Sequence, residues 1–162
     1  MATADNDDKT SGLSAEERQA VKDRARELRL SKKRLSKQER EAIEANDVLE
    51  TIAKMSDSDQ AICRAVSRIV AEVAPDLKTR LWYGMPAFTR NGKVLMHVLP
   101  AGKFHMRYAT LGFEDSAGLD DGASWPVAYA ITDIDSHTES LIRRTIANAV
   151  RELPLDEESP ER

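Results

Sequence analysis

The chain has a single cysteine, Cys63, among its 162 residues. No internal disulfide can form, and a reducing compartment fits best. Aromatic residues make up only 5% of it. No apolar run approaches the ~20 residues needed to cross a bilayer. The segment Met1 to Ser11 is acidic and polar, unlike a secretory leader. A formal net charge of −4 argues against a general nucleic-acid binder, which is usually basic. No Gly-x-Ser-x-Gly elbow, Walker loop or dinucleotide fingerprint occurs, which argues against hydrolase, NTPase and oxidoreductase chemistry. His97, His105 and His137 lack the close spacing of a zinc site, and only one thiol could help them. With 41% hydrophobic and 32% charged residues, the expectation is a cytoplasmic globular protein of about one domain, with no membrane partner.

What is present is a run of helix signals. Residues 1–12 are rich in Asp, Thr and Ser and are expected to be disordered. Ser14-x-x-Glu17 reads as a capping box, opening a helix to about Leu30 whose apolar stripe is thin: Val21, Ala25 and Leu28. Lys32, Lys33, Arg34 and Lys37 follow, with acids at Glu27, Glu39, Glu41 and Glu44 around them. Ser36-x-x-Glu39 is a second box, and Val48, Leu49, Ile52 and Met55 give a further helical stripe. From Ser56, Ile62, Ala65, Val66, Ile69, Val70 and Val73 recur at helical spacing until Pro75 stops the run.

From Leu81 the period changes to two. Asn91-Gly92 predicts a type I′ hairpin turn, because both central residues need positive φ. A two-residue loop would pair Arg90 with Lys93, Phe88 with Leu95 and Pro86 with His97. Pro86 has no N–H to give, so the ladder must break there and the Gly84-Met85-Pro86 turn should swing off the sheet. Lys103 to Tyr108 alternates like a strand. Thr110 to Ser124 reads as a loop, and Trp125-Pro126 opens a last strand with Val127, Tyr129 and Ile131 on one face. Ser136-x-x-Glu139 should cap a final helix, followed by an acidic tail over 152–162 expected to be disordered. The fold class is therefore α+β: a small, mostly antiparallel sheet packed by helices. A charged helical extension is expected over 13–45 and the main domain over 46–151.

Trp82-Tyr83-Gly84-Met85-Pro86-Ala87-Phe88, the hairpin after it, Lys103-Phe104-His105 and Trp125-Pro126-Val127 together resemble the YdhG-like family. The likeness covers roughly Val48 to Val150. It implies a small α+β domain with no assigned activity in most members. Some relatives are described as frataxin-like iron chaperones, which implies weak, carboxylate-based iron(II) binding.

Two kinds of site follow. Trp82, Tyr83, Met85, Pro86, Tyr108 and Trp125 can wall a pocket, with His105 and Arg107 as its polar groups. The same residues also serve as fold punctuation and core. Glu114, Asp115, Asp120 and Asp121 bracket one glycine-containing loop and suit a hard cation, including iron(II); a solvated loop has the same composition. The basic run at Lys32–Arg34 suits phosphates or an acidic protein, although no aromatic is interleaved for base stacking. Cys63, beside Ile62, reads as a small core residue. The expectation is a non-enzymatic domain binding a small molecule or partner protein, with no resident cofactor. An iron(II) chaperone and an interaction module built on the charged helices are the alternatives.

Overall fold

The computed structural model describes residues 12–152; the two expected tails lie outside it except for Gly12 and Glu152. Three helices lead: α1 (Ala15–Lys32), α2 (Lys37–Ala53) and α3 (Asp57–Val73). Five strands follow, β1 (Lys78–Trp82), β2 (Met85–Arg90), β3 (Lys93–Leu99), β4 (Ala109–Phe113) and β5 (Ala128–Ile131), before α4 (Ser136–Ala149). The strands form one antiparallel sheet in the order β1-β2-β3-β4-β5, each paired with its neighbour in sequence. This is the expected α+β class. No described helix is long and apolar enough to cross a membrane.

Local signals set the helix starts. Both capping boxes close: the Ser14 and Ser36 hydroxyls accept from the backbone N–H of Glu17 and Glu39, whose carboxylates accept from the two serine N–H groups. Ser56 caps α3 as expected. At α4 the cap is Asp135, one residue earlier than the sequence reading, and its carboxylate accepts from Thr138 N–H at 2.7 Å. Aspartate there also places negative charge at the positive end of the helix dipole. The Ser36 capping box and the stripe of Val48, Leu49 and Ile52 belong to one unbroken helix, α2.

One face of the sheet carries Phe88, Met96, Val98, Leu111, Phe113 and Ile131. They form a single buried cluster with Ile62, Cys63, Val66, Ile69 and Val70 of α3 and Ile142, Ile146 and Ala149 of α4. Each fully buried side chain of this size stabilises the fold by about 1.5–3 kcal/mol. Burial pushes the Cys63 thiol up to about 12, with the Asp59 carboxylate adding to the shift. Cys63 is thus a core residue and a poor nucleophile.

Three expectations for the sheet need correction. Asn91 and Gly92 do make the β2–β3 turn, with φ of 51° and 79°, and Arg90 pairs with Lys93. Beyond Thr89–Val94 the register shifts, so that Phe88 faces Met96 and Ala87 faces His97. The extra residue is Leu95. Strict alternation would bury either Leu95 or Met96, and a bulge lets both reach 0% exposure.

The second correction concerns the turn before Pro86. Tyr83 and Gly84 have φ of 52° and 74°, making a two-residue hairpin turn that joins β1 to β2. Met85 and Pro86 lie inside β2, opposite Trp82 and Leu81, and do not leave the sheet. Pro86 is tolerated because its pairing to β3 has already ended at Ala87–His97. Third, Lys103–Tyr108 is not a strand. Gly102–Phe104 is a short 3-10 turn, His105 is left-handed with φ 53°, and β4 is Ala109–Phe113, inside the segment read as a loop. The last strand starts at Ala128, and Trp125 to Val127 only lead into it.

Candidate functional site

The Tyr83-Gly84 turn and α1 meet mainly through polar and charged groups. No residue of α1 is buried, and Val21 and Leu28 of its thin stripe remain half exposed. Apolar packing therefore does not hold the helix down. Glu16, Asp23 and Glu27 recur on one helical face, and that face turns toward the sheet end. The Glu27 carboxylate accepts from Tyr83 N–H at 3.1 Å and Gly84 N–H at 2.9 Å. Successive backbone N–H groups of this kind form a concavity suited to an anion. The Glu27 side chain is only 11% exposed and also pairs with Arg24 at 3.3 Å. The Arg24 guanidinium stands over the Tyr83 ring, 5.1 Å from its centroid.

Lys103 closes the turn from the other side. Its ammonium donates to Tyr83 C=O at 2.8 Å and to Asp23 at 3.4 Å. His105 Nε2 lies 2.7 Å from Glu16 Oε1. Backbone hydrogen bonding at the start of α1, then the His105 contact, hold the Glu16 carboxyl below the usual carboxylate range.

A second carboxylate fixes the segment carrying Lys103. Asp59, in the first turn of α3, is 3% exposed and accepts from Ala101 N–H and Gly102 N–H, both at 2.9 Å. Between this turn, the N-terminal half of α1 and the α2–α3 connection runs a groove of about 580 Å³. Ala15, Met55 and Pro100 supply apolar wall; Lys54 and Lys103 face the carboxylates Glu16, Asp23 and Asp59, and Gly84 also lines it.

The residues singled out in the sequence divide between the two ends of the sheet. Trp82, Tyr83, Met85, Pro86, His105, Arg107 and Tyr108 all belong to the end carrying the Tyr83-Gly84 turn. Tyr83, His105 and Arg107 are exposed, Pro86 is buried, and Trp82, Met85 and Tyr108 are intermediate. The Arg107 guanidinium stacks on Tyr108, 5.2 Å from its centroid. Trp125 is elsewhere: it leads into β5 at the opposite end, beside the Val127 carbonyl that accepts from Phe113 N–H. One cleft cannot contain both Tyr83 and Trp125. The basic Lys32–Arg34 run is exposed at the end of α1.

Glu114, Asp115, Asp120 and Asp121 also sit at that opposite end. Asp115, Asp120 and Asp121 are exposed, and Glu114 is drawn toward His97. Among the described residues, no three or more His, Cys, Asp or Glu side chains gather closely enough to hold a metal ion.

His97 is a residue whose position the sequence did not indicate. On the face of the sheet away from the core it lies against Gly112, where a Cβ would come within 2.5 Å of the ring. The Trp82 ring lies 5.2 Å away between centroids. His97 Nδ1 is 3.1 Å from Glu114 Oε1, without the alignment of a hydrogen bond. Burial holds the imidazole below its ordinary 6.5, while the Glu114 charge pulls the other way. The unfolded chain therefore takes up this proton first. Its contribution to stability is complete above about pH 6.5 and declines as pH falls toward the folded-state value. Glu114→Gln removes the opposing charge, so His97 should titrate lower still and the acid-sensitive range should widen. An NMR titration of the ring protons checks this; a raised His97 value in the variant would contradict it.

Glu16, Asp23, Glu27, Asp59 and Lys103, which build the site, were missing from the sequence-derived candidates. The available signal was the helical spacing of the α1 carboxylates beside a stripe too thin to dock the helix. The chain matches no family model, and no curated protein or solved structure matches it.

Proposed function

We propose that the chain is a YdhG-like, non-enzymatic binding domain of the cytoplasm that takes a small ligand in the groove beside the Tyr83-Gly84 turn. The observation that carries this reading is the groove itself. Its volume of about 580 Å³ falls within the ~300–1,000 Å³ usual for small-molecule sites, and apolar wall alternates there with a few fixed polar groups. Two of its sides are set by Asp59, which anchors the Pro100–Lys103 turn, and by the α2–α3 connection, with Gly84 of the β1–β2 hairpin beside them. The third side is α1, which buries no side chain in the core and so can move without opening it.

A fragment screen on the isotopically labelled full chain tests the reading. Bound fragments should shift the amides of Ala15, Gln19, Met55, Gly84, Gly102 and Lys103 together and saturably. Shifts scattered over the surface, or confined to the Glu114–Asp121 loop, would overturn it.

A further inference from the structure

We infer that the Tyr83-Gly84 turn with Lys103 is a binding site for a small carboxylate, and that Glu27 occupies it as a built-in competitor. The inference rests on the groove being a ligand site and adds the class of ligand and what holds the site closed.

The contact between Glu27 and the turn has the form of ligand recognition. Two adjacent backbone N–H groups donate to the two oxygens of one carboxylate, Tyr83 to Oε2 and Gly84 to Oε1. Backbone donors are fixed by the hairpin and cannot rotate away, so the receptor keeps its shape whether or not Glu27 is present. Charge-assisted hydrogen bonds of this kind are roughly twice as strong as neutral ones. Beside the turn, Lys103 is held in place by the Tyr83 carbonyl and needs only to release Asp23 to face a new anion.

Charge is sorted around the turn, although farther along the helix Arg26 of α1 pairs with Asp47 of α2. Glu16, Asp23 and Glu27, which are all on α1, meet His105, Lys103 and the turn amides, which are all on the body of the domain. When α1 lifts away, its three carboxylates leave together, and the body keeps its donors and the groove walls given by the α2–α3 connection and the Pro100–Lys103 turn. No apolar side chain of α1 is buried to oppose that departure. Gly84 and Lys103 also line the groove, beside Glu16 and Asp23 of α1, whose negative charge leaves with the helix. The groove and the anion receptor therefore adjoin through Gly84 and Lys103, so that a short apolar body in the first can carry an acidic head to the second.

Competition has a measurable consequence. A ligand that binds only when Glu27 has withdrawn sees its affinity reduced by the fraction of molecules that are open. Glutarate, whose end resembles a glutamate side chain, is the probe. It would be titrated into the labelled full chain, wild type and Glu27→Ala, with sodium chloride matched for ionic strength. The Tyr83 and Gly84 amides should respond saturably in Glu27→Ala, and at least about tenfold more weakly in wild type. Lys103→Met in the Glu27→Ala background should weaken the response by about tenfold or more. Glu27→Gln, which keeps the side chain but not the charge, should fall between wild type and Glu27→Ala.

The inference is overturned if Glu27→Ala shows no saturable shift at those two amides up to about 50 mM glutarate, a range that covers millimolar affinity. Equal affinity in wild type and Glu27→Ala would equally overturn the competitor role. A synthetic peptide of residues 14–33 is the second arm. If it saturates the same amides in Glu27→Ala while glutarate does not, the site takes an acidic helix and the small-molecule assignment is wrong. The wider reading fails separately: neutral fragments that shift Met55 and Gly102 while glutarate fails would retain the groove and remove only its anion specificity.

Discussion

Asp59→Ala is expected to lower the unfolding free energy by about 3–5 kcal/mol, the largest loss at any polar residue discussed above. The carboxylate is 3% exposed and receives the N–H groups of Ala101 and Gly102 at 2.9 Å each, besides the Ser56 hydroxyl at 3.1 Å. Alanine removes both bonds from amides that are only partly buried, Ala101 being half-buried and Gly102 exposed, and each bond to a charged acceptor contributes about 1.5–3 kcal/mol. Asp59→Asn retains one acceptor oxygen and should lose about half as much. Urea unfolding measures the difference, provided the slope with denaturant is unchanged. The Cys63 thiol supplies a second readout. Asp59 adds to the effect of burial in raising it, so the variant should titrate below wild type. A loss under about 1 kcal/mol would mean that the two amides find water or new partners. The Pro100–Lys103 turn would then owe its shape to something other than Asp59.

Legibility in the sequence follows how local each cause is. Both capping boxes, the Ser56 cap and the Asn91-Gly92 turn depend on residues within four positions of one another, and all were readable. The stripe of α3 was readable because Ile62, Val66, Ile69 and Val70 face a single core. The Leu95 bulge was not, since it arises from the need to bury two successive residues of β3. Lys103 to Tyr108 alternates in polarity, yet Asp59 reaches across from α3 to bind Ala101 and Gly102 and bends the chain into a 3-10 turn. Six alternating residues are weak evidence against such a distant anchor. The Tyr-Gly-Met-Pro motif was readable as a turn, but placed one residue late. Gly84 is its second central residue, and Pro86 already belongs to the strand. The face of α1 that meets this turn was hidden for another reason: hydrophobic periodicity cannot register a helix docked by carboxylates.

Two glycines in matched turns separate backbone strain from docking. Gly84 and Gly92 have φ of 74° and 79° and occupy the second central position of their hairpins. Alanine in either must adopt a left-handed conformation, at a cost of about 1–2 kcal/mol. Around Gly92 no atom lies within 4 Å of the added Cβ, so Gly92→Ala should show that strain alone. At Gly84 the new methyl would run into the Asp23 carboxylate and the Lys103 ammonium. Both are flexible side-chain ends that can move aside, at the expense of their 3.4 Å contact, one of those that hold α1. Gly84→Ala should therefore lose about 0.5–1 kcal/mol more than Gly92→Ala. The excess should appear in one place. Amide hydrogen exchange ought to accelerate along α1 in Gly84→Ala and stay at the wild-type rate in Gly92→Ala, while α3 and β3 remain protected in both. Equal losses with α1 equally protected would mean that the helix does not depend on the turn. Its contacts to Tyr83 and Gly84 would then be incidental, and the pairing of Arg26 with Asp47 of α2 at 3.0 Å would be the contact to examine next. If only α1 loosens, the Tyr83-Gly84 turn is the anchor, and the donors that hold Glu27 in the closed chain are the ones exposed when it opens.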